Sequence, residues 1–122
     1  MTNTTKRNGM NYKPGDIVIA RISFSEANTG KVKSRPAMVI STKSHNMRRD
    51  DLVLLKISST PVHDNQWEIP IESSDRTGLA KPSKIICDEV RAVYKGDVRF
   101  IGRAGQITLT KVKKKLHLLF GI

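Results

Sequence analysis

The chain is cut into short apolar runs rich in β-branched residues, spaced closely and separated by turn-forming polar stretches. "IVIARISF" (17–24), "AMVIS" (37–41), "LVLLKIS" (52–58) and "WEIPI" (67–71) come first. "KIICDEVRAV" (84–93) and "GDVRFIG" (96–102) follow. Runs this short cannot be long helices, and their composition favours strands. In the first, Val18, Ala20, Ile22 and Phe24 fall on one face. In the fourth, Trp67, Ile69 and Ile71 alternate, and Pro70 removes a ladder donor, which places that strand at a sheet edge. "KIICDEVRAV" reads as strand, bend and strand again. Only the last stretch changes period. Leu109, Val112, Leu116, Leu119 and Phe120 recur at helical spacing, with Lys111, Lys113, Lys114 and Lys115 largely on the other side. Thr108 is the expected N-cap and Gly121 the expected stop. The pattern predicts a mainly β fold: a small, strongly curved antiparallel sheet or barrel with one C-terminal helix.

The turns carry their own signals. Pro14 and Gly15 set a turn in "YKPGD", where the Asp16 side chain is expected to bond back to the backbone. "SEANTGKVKS" and "TKSHNMRRDD" read as charged loops, and "ESSDRTGLAKPS" as a long turn region. No internal repeat or linker interrupts the chain. Residues 1–12 read as a flexible polar tail and 13–122 as a single domain, a size that often completes its buried surface by dimerising.

Lysine and arginine number 22 against 11 acidic residues, a formal charge of +11. Solubility alone needs less. A negatively charged partner, nucleic acid or an acidic protein, fits better than a membrane, because no helix pairs a long apolar face with flanking basic residues. The single cysteine, Cys87, cannot form an internal disulfide and lies mid-strand, where it reads as a small core residue. A reducing, cytoplasmic setting is the simplest fit. The first ten residues lack the apolar region of a signal peptide.

Chemistry can be narrowed by elimination. One cysteine and three dispersed histidines, His45, His63 and His117, show no metal-ligand spacing. No glycine-rich loop leads into a helix to hold a nucleotide. What remains is arginine plus hydroxyl. Arg35 precedes Pro36, which biases it toward extended geometry at the mouth of a strand. Ser58, Ser59 and Thr60 end another strand before Pro61. A guanidinium fork and hydroxyls at neighbouring strand ends suit a phosphate. On RNA they would suffice for cleavage without a metal, because the 2′-hydroxyl supplies the nucleophile. The same residues are equally ordinary as loop and turn chemistry.

The order of these motifs resembles the MazF/PemK toxin family. The matching stretches are "PGDIVIARISF", "RPAMVIS", "LVLLKISS", "WEIPI", "TGLAKPSKIICDEVRAV" and "IGRAG" before the closing helix. The resemblance implies an SH3-like small barrel, usually a homodimer, and metal-independent cleavage of single-stranded RNA to 2′,3′-cyclic phosphate and 5′-hydroxyl ends, with no cofactor. It implies an antitoxin partner whose acidic tail fills the RNA groove. It places the catalytic arginine on Arg35 and the catalytic threonine on Ser58, a departure that keeps the hydroxyl and loses the methyl. Ser59, Thr60, Lys31 and Lys33 would hold RNA. Gyrase poisons of the CcdB type share the fold, and their aromatic-Gly-Ile ending is matched by Phe120-Gly121-Ile122. That keeps a gyrase poison or a non-catalytic nucleic-acid binder as the alternative.

Overall fold

A computed structural model describes residues 11–22 and 33–122. Six strands form one antiparallel sheet: β1 (Asp16–Ile22), β2 (Lys33–Val39), β3 (Asp51–Ser58), β4 (Glu68–Ile71), β5 (Ser83–Tyr94) and β6 (Val98–Arg103). Their order across the sheet is β4-β5-β3-β2-β1-β6, so the Pro70 strand does lie at an edge. A six-residue helix, α1 (Lys43–Arg48), separates β2 from β3, and α2 (Gln106–Phe120) closes the described chain. This is the expected curled antiparallel sheet with a C-terminal helix.

Both faces of the curled sheet are covered. On one, Ile17, Met38, Leu55, Ile57, Ile69 and Ile85 pack with Leu109 and Val112 of α2. On the other, Val18, Ala20, Ala37, Val39, Leu52 and Leu54 pack with Tyr12 and Val93. Successive strand residues point to opposite faces, so two covered faces require nearly continuous apolar runs. That is why "AMVI" and "LVLL" lack polar alternation. β1 is therefore buried on both sides rather than on the single face its alternation suggested; Phe24 lies outside the described residues. Tyr12, within the expected tail, is only 2% exposed.

Two local expectations are corrected. "TKSHNMRRDD" is not all loop but contains α1. A helix of six residues is too short to show a period. It is held instead by specific polar bonds: the Thr42 side chain accepts from the His45 amide, and buried Asn46 donates to the Tyr12 and Ser41 carbonyls at 3.0 and 2.9 Å. The second concerns the start of α2. Gly105, not Thr108, is the N-cap, and the helix begins at Gln106. The Leu109 amide already donates to the Gly105 carbonyl, so Thr108 sits inside the first turn. Gly121 ends α2 in the left-handed conformation, as expected.

The bend in "KIICDEVRAV" is a bulge. The β3–β5 register jumps from Leu55↔Val90 to Lys56↔Ile86, leaving residues 87–89 looped out of the ladder with β3. The Cys87 amide instead donates to the Trp67 carbonyl at 2.8 Å. The bulge lets one strand serve two neighbours, with Lys84–Ile86 pairing to β3 on one side and Ser83–Ile86 to β4 on the other.

Candidate active site

β2 and β3 pair from Val39↔Leu54 to Ala37↔Lys56. Continuing that register by two residues brings Arg35 abreast of Ser58. Residues facing each other across an antiparallel pair project to the same side, so Arg35, Lys56 and Ser58 share a face. The groove there has a volume of about 570 Å³. It is lined by Arg35, Lys56, Ser58, Ser59, Thr60 and Lys81, with Pro36, Ile57, Leu79, Ala80 and Ser83 completing its walls.

Local chemistry explains the hydroxyl end. β3 stops at Ser58, and the chain turns before Pro61. The Thr60 amide donates to Ser58 Oγ at 3.2 Å, and the Ser58 and Thr60 hydroxyls lie 3.0 Å apart. This is a side-chain turn in which the serine oxygen replaces a ladder acceptor. Ser58 is half-buried, whereas Ser59 and Thr60 are exposed. Arg35, also half-buried, comes from the first half of β2, where its backbone pairs with Ala20. Among the described residues, three cations, Arg35, Lys56 and Lys81, and four hydroxyls, Ser58, Ser59, Thr60 and Ser83, therefore line one groove, and none of those lining residues is acidic. A bound anion would gain charge-assisted hydrogen bonds from several directions.

Of the expected site residues, Arg35, Ser58, Ser59 and Thr60 line this groove together. Lys33 is exposed at the start of β2 and is not among the lining residues. Lys31 lies outside the described residues. Sequence reasoning missed Lys56, Lys81 and Ser83. Lys56 had a signal: it is the one charged residue in "LVLLKIS", and a cation inside a buried strand needs a polar surface to face.

The histidines do not form an acid–base pair. His45 lies in α1 and bonds to Asn46, while His63 Nδ1 lies 3.1 Å from Lys84 Nζ. Asp16 fixes the first turn as expected, its carboxylate accepting from the Lys13 amide at 3.1 Å. Among the described residues no cluster of three histidine, cysteine or acidic side chains could hold a metal, and no helix is long and apolar enough to cross a membrane. Burial, with the neighbouring Asp88 charge, pushes the Cys87 thiol up to about 11. Native protein at pH 8 should therefore react with iodoacetamide far more slowly than urea-unfolded protein, which mass spectrometry of the alkylated chain would register.

Beside the groove, Lys84 and Glu68 form a buried ion pair, Nζ to Oε1 3.0 Å, with side chains 2% and 6% exposed. Burial works to raise the Glu68 pKa. Hydrogen bonds from the His63 amide, Lys84 and the Asp64 amide, with the Lys84 charge, outweigh it and hold the carboxyl below its ordinary value of 4.5. A depressed carboxylate pKa adds stability above the ordinary value, and that stability is lost as pH falls through the lower folded value. Below about pH 4.5, wild type should therefore lose melting temperature more steeply than Glu68→Gln, whose amide does not titrate. Equal slopes in a pH series of thermal melts would contradict this.

The small curled antiparallel sheet, its C-terminal helix and its basic, hydroxyl-lined groove define a mainly β class of protein with one groove chemically suited to an anion. The family can be stated more narrowly. Residues 13–120 match the model of the PemK-like, MazF-like toxins of type II toxin-antitoxin systems, and the chain belongs to that family. Its fold is similar to MazF from Deinococcus radiodurans, at TM-score 0.74 and 18% identity over 92% of this chain and 98% of that one. It is similar to the Mycobacterium tuberculosis toxin MazF-mt6, at TM-score 0.71 and 19% identity over 88% and 97%. A mycobacterial endoribonuclease in complex with its cognate antitoxin also matches, at TM-score 0.71 and 15% identity over 91% and 96%. No curated protein sequence matches the chain significantly.

Proposed function

We propose that this chain is a metal-independent endoribonuclease toxin that cleaves single-stranded RNA. The observation that carries the reading is the single groove joining Arg35 of β2 to the Ser58–Thr60 end of β3, with Lys56 and Lys81 beside them. A scissile phosphate in that groove meets the guanidinium fork of Arg35 and the Ser58 hydroxyl. The 2′-oxygen of the preceding ribose attacks phosphorus and gives up its proton to solvent. The bond from phosphorus to the 5′-oxygen breaks, and that oxygen takes a proton from solvent. The products are a 2′,3′-cyclic phosphate and a 5′-hydroxyl. Arg35 stabilises the extra negative charge of the phosphorane, because a guanidinium is a fixed cation with several donors. Ser58 donates to a phosphate oxygen, and Ser59, Thr60, Lys33 and Lys31 hold the strand. The partners are single-stranded RNA, a second copy of the chain in a homodimer, and a cognate antitoxin. An acidic antitoxin segment would compete for the same cations, which fits the +11 charge.

The test is incubation of purified protein with several single-stranded RNAs in EDTA, followed by end mapping. Cleavage to cyclic-phosphate ends supports the reading. Intact RNA from folded protein overturns it. Gyrase trapped on DNA, or salt-dependent RNA binding without cuts, would then mark the gyrase-poison or pure-binder alternative.

A further inference from the structure

Lys84 is the largest fully buried side chain in the described structure, and it is not an apolar one. Its ammonium has three protons and three partners: the Pro61 carbonyl at 3.0 Å, His63 Nδ1 at 3.1 Å and Glu68 Oε1 at 3.0 Å. No donor is left over, which is the condition for keeping a lysine buried. Glu68 in turn accepts from the His63 and Asp64 amides at 3.0 and 3.3 Å. The ion pair thus supplies one acceptor and two donors of the 61–64 backbone with partners. That segment lies between β3 and β4 and has no ladder of its own.

We infer that Lys84 is a positioning residue: gripped by Glu68, it ties down the Pro61 carbonyl and so sets the Ser58–Thr60 hydroxyl turn that faces the groove. Lys84 does not line the groove, so it does not touch the ligand there. It brackets the turn instead. Its backbone pairs with Ser58 at one end, and its side chain holds Pro61 at the other. Stability alone is a poor reason for such a pair, since apolar or neutral replacements of a buried ion pair are often as stable. Geometry is a better one, because misplacing a reacting group by about 1 Å can cost on the order of a hundredfold in rate. The catalytic part of the inference rests on the ribonuclease reading; the positioning part does not.

The test is the double variant Lys84→Met/Glu68→Gln. Glutamine keeps the acceptor for the His63 and Asp64 amides, and no buried charge is left alone. The variant should unfold cooperatively, with a melting temperature within a few degrees of wild type. Amide exchange at Thr60 should rise by at least about tenfold while β1 amides such as Ile19 keep their protection, a local effect that general destabilisation would not give. On RNA, kcat should fall roughly 10- to 100-fold with KM within about twofold. Thr60 exchange at the wild-type rate in the folded variant overturns the positioning role. Full kcat with raised exchange overturns its catalytic consequence. If wild type itself leaves RNA intact, the ribonuclease reading fails, and the Thr60 exchange still decides whether Lys84 holds the turn. If the double variant does not fold, the same exchange measurement on Glu68→Gln alone, which loosens the grip on Lys84, decides it in the same sense.

Discussion

Replacing Arg35 by alanine is expected to slow RNA cleavage by about two to three orders of magnitude, the usual loss when a donor to developing charge is removed. Stability should move far less. Arg35 is half-buried at the start of β2, outside the two apolar clusters, where a truncation costs about 1 kcal/mol. Arg35→Lys separates charge from geometry. It keeps a cation but loses the fork, so it should recover only part of the rate. Ser58→Ala should lower the rate as well, because it removes a phosphate donor and the acceptor of the Thr60 amide. Single-turnover cleavage with labelled RNA, beside thermal melts, reads all three. An Arg35→Ala protein that cuts as fast as wild type would remove Arg35 from the chemistry.

Gly78→Ala should be the most damaging substitution to the fold that adds only a methyl group. Gly78 has φ +71°, in the left-handed region, and a Cβ there would overlap the Ile101 carbonyl oxygen of β6. The backbone conformation costs roughly 1–2 kcal/mol for a side-chain-bearing residue. Forcing apart two packed backbones costs about 1–3 kcal/mol more. The position also matters for the site, since Leu79, Ala80 and Lys81 immediately follow it and form one wall of the groove. Urea unfolding should show a lower midpoint by an amount equivalent to about 2–5 kcal/mol. A midpoint within experimental error of wild type would mean that the 74–81 turn yields more easily than its packing implies.

The groove's two ends were legible because each is written contiguously. Arg35-Pro36 heads one apolar run, and Ser58-Ser59-Thr60-Pro61 ends another. Bringing them together needed only that the two runs be antiparallel neighbours. Lys81, Ser83 and Lys84 were illegible for the opposite reason. Lys81 and Ser83 read as part of a long turn region, and Lys84 as the polar start of the strand "KIICDEVRAV". Only the pairing of β5 with both β3 and β4 buries Lys84 between Ser58 and Pro70, while Lys81 and Ser83, just before it, line the groove. Helix α1 was missed because it is held by Asn46 and Ser41 hydrogen bonds rather than by an apolar period. The N-cap of α2 was misplaced because glycine gives no side-chain signal.

The pairing of β1 with β6 joins Asp16 to Arg103, so the first and last strands of the sheet are neighbours. In time, this makes the sheet's completion a late event. A chain growing from its N-terminus holds β1 with one side unpaired through the synthesis of every other strand. Such distant pairings also slow folding once the chain is free. The groove inherits this delay. Its strands, β2 and β3, are made early, but the turn that carries its outer wall is fastened by the Arg103 amide on the Arg76 carbonyl. A truncated product ending before residue 98 therefore carries Arg35 and Ser58 without that brace, and the braced groove exists only once β6 has been made.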